Sequence, residues 1–299
     1  MIQKGLLDIF CLAMLWGPSF LFIKIAMRDL APLTIVTLRI GLGGLFLFIV
    51  LKLKKIALPR DKRLWKHGFI LGLFANSFPF ICFSFAVLYI PTSLSALING
   101  TTPVLTVLLA NAFIEDERLT WNRTVGVLIG LSGFMVLFLP KLMGFDAEFD
   151  SLGMFLSFLA AASYAIGIVY ARLHVQKSPP LVIPTLQLLT SLLYLIPLAF
   201  IFEAPSDVFD ASISTWGAIL GLSVLGTMLA YIMYYRIINK YGATALSMVT
   251  YLLPILGTLL GVIFLEETIT PPFYIATIFI MMGVMVMNGL IPTTFLRRK

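Results

Sequence analysis

The chain is poor in charge. Of its 299 residues only 12% are Asp, Glu, Lys or Arg, against 60% hydrophobic, and the mean hydropathy is +1.02. A soluble domain of this length cannot cover so much apolar surface, so lipid is the solvent that the composition implies. Cysteine is almost missing: Cys11 and Cys82 stand singly in apolar runs, which excludes a disulfide framework and reads as two small buried hydrophobes. The two histidines, His67 and His174, fall in polar connections and read as solvated. There is no GxxxxGK[ST] loop to hold ATP and no HExxH metal motif. Acids are lacking from the middle of every apolar run: Asp8 stands near the start of one, and Glu115 and Glu266 close two others. A net charge of +7 would point to nucleic acid in a soluble protein. Here the charges flank apolar runs, so the expectation is no nucleic-acid partner, no metal and no cofactor.

What is present is a series of apolar runs of about 20 residues, the length that crosses ~30 Å of hydrocarbon as a helix. Ten spans are expected, at 6–27, 32–51, 66–88, 92–113, 121–139, 152–172, 181–202, 213–235, 243–264 and 271–290. They are too long for barrel strands, and only helices or closed barrels satisfy their backbone in lipid. The first follows Lys4 without a small-residue cleavage site and reads as a retained helix. With a cytoplasmic N-terminus, 17 of the 21 basic residues face inward, including the cluster Lys52, Lys54, Lys55, Arg60, Lys62, Arg63 and Lys66. The opposite loops keep only Arg28 and Lys141 and carry Asp29, Asp146, Glu148, Asp150, Glu203, Asp207, Asp210, Glu266 and Glu267. By the positive-inside rule both termini are cytoplasmic.

The sequence also repeats. A shift of 148 aligns Trp16 with Tyr164, Lys24 with Arg172, Pro32 with Pro180 and Arg39 with Gln187. A shift of 151 aligns Pro103 with Pro254, Phe113 with Phe264, Glu115 with Glu266 and Asp116 with Glu267. The expected organisation is therefore two five-helix repeats, 1–140 and 141–299, in an all-α integral membrane protein. Five is odd, so the second half runs inverted relative to the first, the architecture of many secondary transporters. The opening WGPSFLFIKIAMRDLAPLTIVTLRIGLGGL, with Trp16-Gly17, Lys24, Pro32 and Arg39, resembles the start of an EamA domain of the drug/metabolite transporter superfamily. PVLTVLLANAFIEDERLTWNRTVGVLIGLSGFMVL and its copy at 254–287 resemble that domain's end, so the resemblance covers nearly the whole chain twice. It implies ten helices and passage of small solutes such as amino acids, sugars, nucleotide-sugars or amphipathic compounds.

Polar and aromatic residues inside spans are the candidate cavity lining, because lipid tolerates them poorly. They are Trp16 and Phe20 in the first span, Arg39 in the second, Asn76 and Phe80 in the third and Asn99 in the fourth. Tyr164, Gln187, Tyr231, Thr250 and Tyr251 supply the second half. Arg39 is the sharpest: seven positions into its span it lies roughly 10 Å below the boundary. It suits either a substrate carboxylate or phosphate, or a tie to backbone carbonyls and loop acids. Lys24 reads as snorkelling from the end of its span. Pro103 and Pro254 each remove a backbone bond within a span and are candidate hinges. Gly126-x-x-x-Gly130, Gly217-x-x-x-Gly221 and Gly257-x-x-x-Gly261 are expected to bring helices close, and leave the chain a monomer or a homodimer.

The function expected is secondary transport of a small metabolite by alternating access, first as amino-acid or metabolite export across a bacterial inner membrane. The alternative is import of a sugar, nucleoside or quaternary amine. Without a buried acid relay, facilitated diffusion or exchange is favoured over proton coupling. A membrane enzyme would need a nucleophile–base pair or metal triad at depth, and a channel a charged ring or filter loop; neither pattern is present.

Overall fold

The structure, a computed structural model, describes residues 2–115, 117–143, 149–175, 178, 181–203, 205–241 and 249–291. At 2–4, 139–142, 238–239 and 250–251 only the backbone is described. Every regular element among the described residues is helical. The first apolar run forms α1 (Ile2–Trp16) and α2 (Ser19–Ala26), parted at Gly17-Pro18, because Pro18 has no N–H to continue the ladder. Next come α3 (Pro32–Leu53), then α4 (Lys62–Gly72) and α5 (Phe78–Tyr89) joined through a π-helical turn at Leu73–Ser77. The fourth run is α6 (Thr92–Asn99) and α7 (Thr102–Phe113), followed by α8 (Trp121–Leu142), α9 (Ser151–His174) and α10 (Val182–Phe202). A 3-10 turn at Ser206–Phe209 leads to α11 (Ile213–Leu220), a second π segment at Gly221–Leu229, and α12 (Ala230–Tyr241). The last two helices are α13 (Val249–Leu265) and α14 (Pro271–Met287).

Eight of these runs, from Gly5–Ala26 to Ile213–Ile237, are helical over at least 18 residues and apolar enough to cross a membrane. The chain is an integral membrane protein. The expected ninth and tenth spans hold α13 and α14, of 17 residues each, and 243–248 of the ninth lie outside the described residues.

Close packing is set by small residues, as lipid offers helices no hydrophobic reason to associate. A Cβ built on Gly126 would stand 2.5 Å from the Gly283 carbonyl, and one on Gly283 2.5 Å from the Gly130 nitrogen, so α8 and α14 meet backbone to backbone. Gly257 of α13 fits against Ala96 of α6, where an added Cβ would approach to 2.5 Å. Gly221 abuts the Phe22 ring, but Gly217 faces open space, so the Gly217-x-x-x-Gly221 pair is not a packing motif: its first glycine touches nothing within 4 Å.

At the acid-rich end three carboxylates clasp helix N-termini far away in sequence. A helix start presents unpaired N–H groups and partial positive charge, which a carboxylate satisfies. Glu203 accepts from Leu33 N (2.8 Å), Thr34 N (2.7 Å) and Thr34 Oγ1 (2.9 Å) at the start of α3. Glu267 accepts from Thr92 N (2.6 Å), Thr92 Oγ1 (2.8 Å) and Ser93 N (2.9 Å) at the start of α6. Asp29 accepts from Ser212 N (2.9 Å), Ser212 Oγ (2.5 Å) and Thr215 Oγ1 (2.7 Å) at the start of α11, and these bonds hold its carboxyl below the usual aspartate range. At the Lys/Arg-rich end the ties are ion pairs, Arg172–Glu117 at 2.6 Å and Arg236–Asp8 at 3.1 Å.

Candidate functional site

Arg39 points inward from α3 and is only 4% exposed. Its Nε donates to Thr227 Oγ1 at 3.2 Å and its Nη2 to the Gly226 carbonyl at 3.3 Å, both in the second π segment. The guanidinium lies flat over the Phe80 ring, 3.8 Å from the centroid, a cation–π contact worth ~2 kcal/mol when desolvated. Among the described residues no carboxylate pairs with it. A buried cation with two neutral acceptors and a ring beneath it is stabilised but not neutralised, and attracts an anion. The close approach is permitted by Gly43, one turn along α3, where a Cβ would stand 2.7 Å from the Thr227 methyl.

Around Arg39 the elements bring together most of the sequence candidates. Asn76, fully buried in the first π turn, donates from Nδ2 to the Tyr231 hydroxyl at 2.5 Å, while its Oδ1 has no partner. The Ser19 hydroxyl, beside Gly226, is likewise buried without a partner. Tyr164 of α9 and Tyr231 of α12 lie in electrostatic range of Arg39. Tyr164 packs near Phe80 (6.3 Å) and Phe83 (6.0 Å), and Phe20 of α2 meets Phe83 edge-on at 5.1 Å. The first π turn is pinned from α9 by Ser163, whose hydroxyl donates to the Phe74 carbonyl at 2.7 Å, and by Gly167, which admits Ala75. The resulting centre holds one uncompensated cation, aromatic faces and two orphan oxygens, so it presents sites for a carboxylate and an ammonium group on one solute.

Other candidates lie elsewhere. Trp16 packs on Tyr234 (6.2 Å) in a separate cluster with Leu12, Ala13 and Val249, because the break at Gly17-Pro18 divides its turn from that of Phe20. Asn99 closes the broken turn between α6 and α7 by accepting from Thr102 Oγ1 at 3.1 Å. Gln187 is buried on α10 where that helix seats against Gly68 and Gly72 of α4. The Thr250 and Tyr251 side chains are outside the described residues. Pro103 stands in the first turn of α7, where a missing N–H costs nothing, rather than within a helix; Pro254 does lie inside α13. Lys24 does not snorkel: its ammonium donates to the Val87 carbonyl at 2.8 Å, in the last turn of α5, where the helix dipole favours a cation. His67 is not in a connection but in α4, hydrogen-bonded to Tyr170. Sequence reasoning missed Thr227 and the Gly226 carbonyl, whose exposure to Arg39 depends on a π segment that composition does not announce.

The EamA-like transporter family model matches residues 3–139 and 151–289. The chain is 23% identical over 296 residues to the uncharacterized transporter YoaV of Bacillus subtilis (strain 168), covering 99% of each. It is 24% identical to a protein of Salmonella typhimurium described as a probable amino-acid metabolite efflux pump, over 90% of this chain and 89% of that one. A solved crystal structure superposes with a TM-score of 0.68 at 25% identity, over 99% of this chain and 98% of its own.

Proposed function

The chain belongs to the EamA-like transporter family, and on that footing we propose that it exports an amino acid or related zwitterionic metabolite by alternating access. The observation that carries the substrate class is Arg39: buried, stacked on Phe80 and without a carboxylate partner among the described residues. In this reading Arg39 takes the substrate carboxylate in a bidentate fork. The unpaired Asn76 Oδ1 and the faces of Tyr164 and Tyr231 receive the ammonium. Phe80 and Phe20 meet the side chain. Outward direction is supported by the description of the Salmonella relative. No acid is available to carry a proton beside Arg39 among the described residues, which supports facilitated diffusion or exchange.

The scaffold for this cycle is two inverted halves, 1–140 and 141–299, in ten spans with both termini on the cytoplasmic side of an inner membrane. Support comes from the offsets: the π segments begin at Leu73 and Gly221, 148 apart, and a shift of 151 takes Asn76 to Thr227 and Phe80 to Tyr231. The basic residues at one end and the acidic clasps at the other fit the positive-inside orientation. Pro254, inside α13, and the Gly100-Thr101 break before Pro103 are the points at which the halves bend.

Counterflow in proteoliposomes loaded with a panel of amino acids tests the proposal. Saturable counterflow should appear for one or more amino acids, be lost for the decarboxylated amine of the same side chain, and vanish in Arg39→Ala. Flux that is unsaturable and shows no counterflow would make the protein a channel. Equal transport of the decarboxylated amine would remove the carboxylate from the recognition.

A further inference from the structure

The chain's only two histidines are 107 residues apart, yet they meet. His67 sits in the second turn of α4 and His174 is the last residue of α9, with ring centroids 5.2 Å apart and planes at 37°. Tyr170 organises both. Its backbone carbonyl bonds His174 Nδ1 at 3.0 Å, its hydroxyl bonds His67 Nδ1 at 2.8 Å, and its ring stacks on His174 at 4.2 Å. A carbonyl only accepts, so His174 Nδ1 carries the proton and, in the neutral ring, Nε2 carries a free lone pair. The Tyr170 hydroxyl can accept from His67 Nδ1 in the same way, which leaves the second Nε2 with its lone pair. Imidazoles held through Nδ1–H on an oxygen are oriented and made more basic, the outer-shell arrangement found behind metal-binding histidines. Two rings sharing one tetrahedral ion at Zn–N of ~2.0–2.1 Å place their centroids about 5 Å apart, which matches the separation seen.

Nothing else in the fold accounts for this convergence. His174 is exposed and His67 half-exposed, so the pair is not filling a core. The neighbourhood is basic: Lys62, Arg63 and Lys66 share α4 with His67, Asp61 caps that helix, and Arg172 is paired with Glu117. Such a field repels hard cations such as Mg²⁺ and Ca²⁺, which have no carboxylate cage here. Imidazole nitrogens instead select late first-row ions. Among the described residues no third His, Cys, Asp or Glu joins the pair, so water completes the coordination.

We propose that His67 and His174, positioned by Tyr170, form a divalent transition-metal site that bridges α4 and α9. The site takes Zn²⁺, Ni²⁺ or Cu²⁺ through two Nε2 atoms and does not depend on the transport substrate. Because α4 and α9 come from opposite halves of the sequence, an ion held there ties the halves together at the Lys/Arg-rich end.

The test is isothermal titration of the detergent-solubilised full chain, carrying no polyhistidine tag, with NiCl₂, with ZnCl₂ and with MgCl₂. One equivalent of Ni²⁺ or Zn²⁺ should bind and Mg²⁺ should not. His67→Ala and His174→Ala should each weaken binding at least tenfold, and the double variant should be no worse than either, as two ligands of one ion require. Tyr170→Phe should weaken it less, and His67→Gln substitutes for the alanine variant if that one does not fold. Stoichiometric binding that survives both single variants, binding that depends on one histidine alone, or no binding by the wild-type chain would overturn the proposal.

Discussion

Replacing Glu267 by glutamine should make the acid-rich end open more often, and the structure sets the size of the effect. Oε1 of Glu267 accepts from Thr92 N and Oγ1, and Oε2 accepts from Ser93 N. Glutamine can keep one oxygen, but its NH₂ must then face a donor. One N–H at a helix start that is 1% exposed at Ser93 loses its acceptor, costing about 1–3 kcal/mol. The lost charge at the α6 N-terminus adds about 0.3–1 kcal/mol. A total of roughly 2–3 kcal/mol shifts an open–closed equilibrium by about 30- to 150-fold at 1.4 kcal/mol per tenfold. Cys82 offers a reporter, since it is 4% exposed and seven residues inside the end of α5, about 10 Å below the acid-rich surface. In a Cys11→Ser background, a membrane-impermeant maleimide added at that face should label Cys82 at least tenfold faster in Glu267→Gln than in the parent. Equal labelling rates in the two proteins, with both folded by melting, would refute the idea that this clasp holds the end shut.

Arg39→Lys keeps the charge but loses the planar fork and the stack on Phe80. The half-saturating substrate concentration in counterflow should rise at least tenfold in that variant, and by ~30-fold or more in Arg39→Ala. Gly283→Val places atoms within 2.5–2.7 Å of the Gly126 and Gly130 backbone and should cost at least ~2 kcal/mol, read as a melting point lowered by several degrees. Gly217→Ala, at an open position, should leave the melting point unchanged. Asp29 has its pKa lowered in the folded protein by Ser212 and Thr215, so its contribution is complete above the ordinary aspartate range and is lost as pH falls through the lowered value. The melting-point gap between wild type and Asp29→Asn should therefore be flat at neutral pH and close in acid.

Long apolar runs are legible because a helix in lipid leaves no choice of pattern, and eight of the expected spans coincide with helices of sufficient length. Arg39 was legible for the same reason: a guanidinium seven residues into such a run has to be accounted for. Its surroundings were not, since Thr227 and Gly226 reach it through a departure from α geometry that hydropathy cannot register. Trp16 and Gln187 resemble cavity residues in sequence, but a break at Gly17-Pro18 and the seating of α10 on α4 direct them elsewhere. The acids of one end read as topology signals, yet Asp29, Glu203 and Glu267 each hold a helix start more than 160 residues away. Such pairings are tertiary and leave no local trace, as with His67 and His174.

The two π segments make the site sensitive to chain length in a way that lipid is not. Each π turn closes its bond one residue later than an α turn, so it accommodates a residue that an α-helix would have to place elsewhere. Deleting one residue from Leu73–Ser77 would let the run from Lys62 to Tyr89 wind as plain α-helix, shorter by only ~1.5 Å and still able to cross the bilayer. Everything beyond the deletion would swing by ~100° about the axis. Phe80 would leave the underside of Arg39 and point its ring toward a neighbouring helix or lipid. Membrane insertion would survive that deletion and the binding centre would not, so a one-residue indel here separates being a membrane protein from being this one.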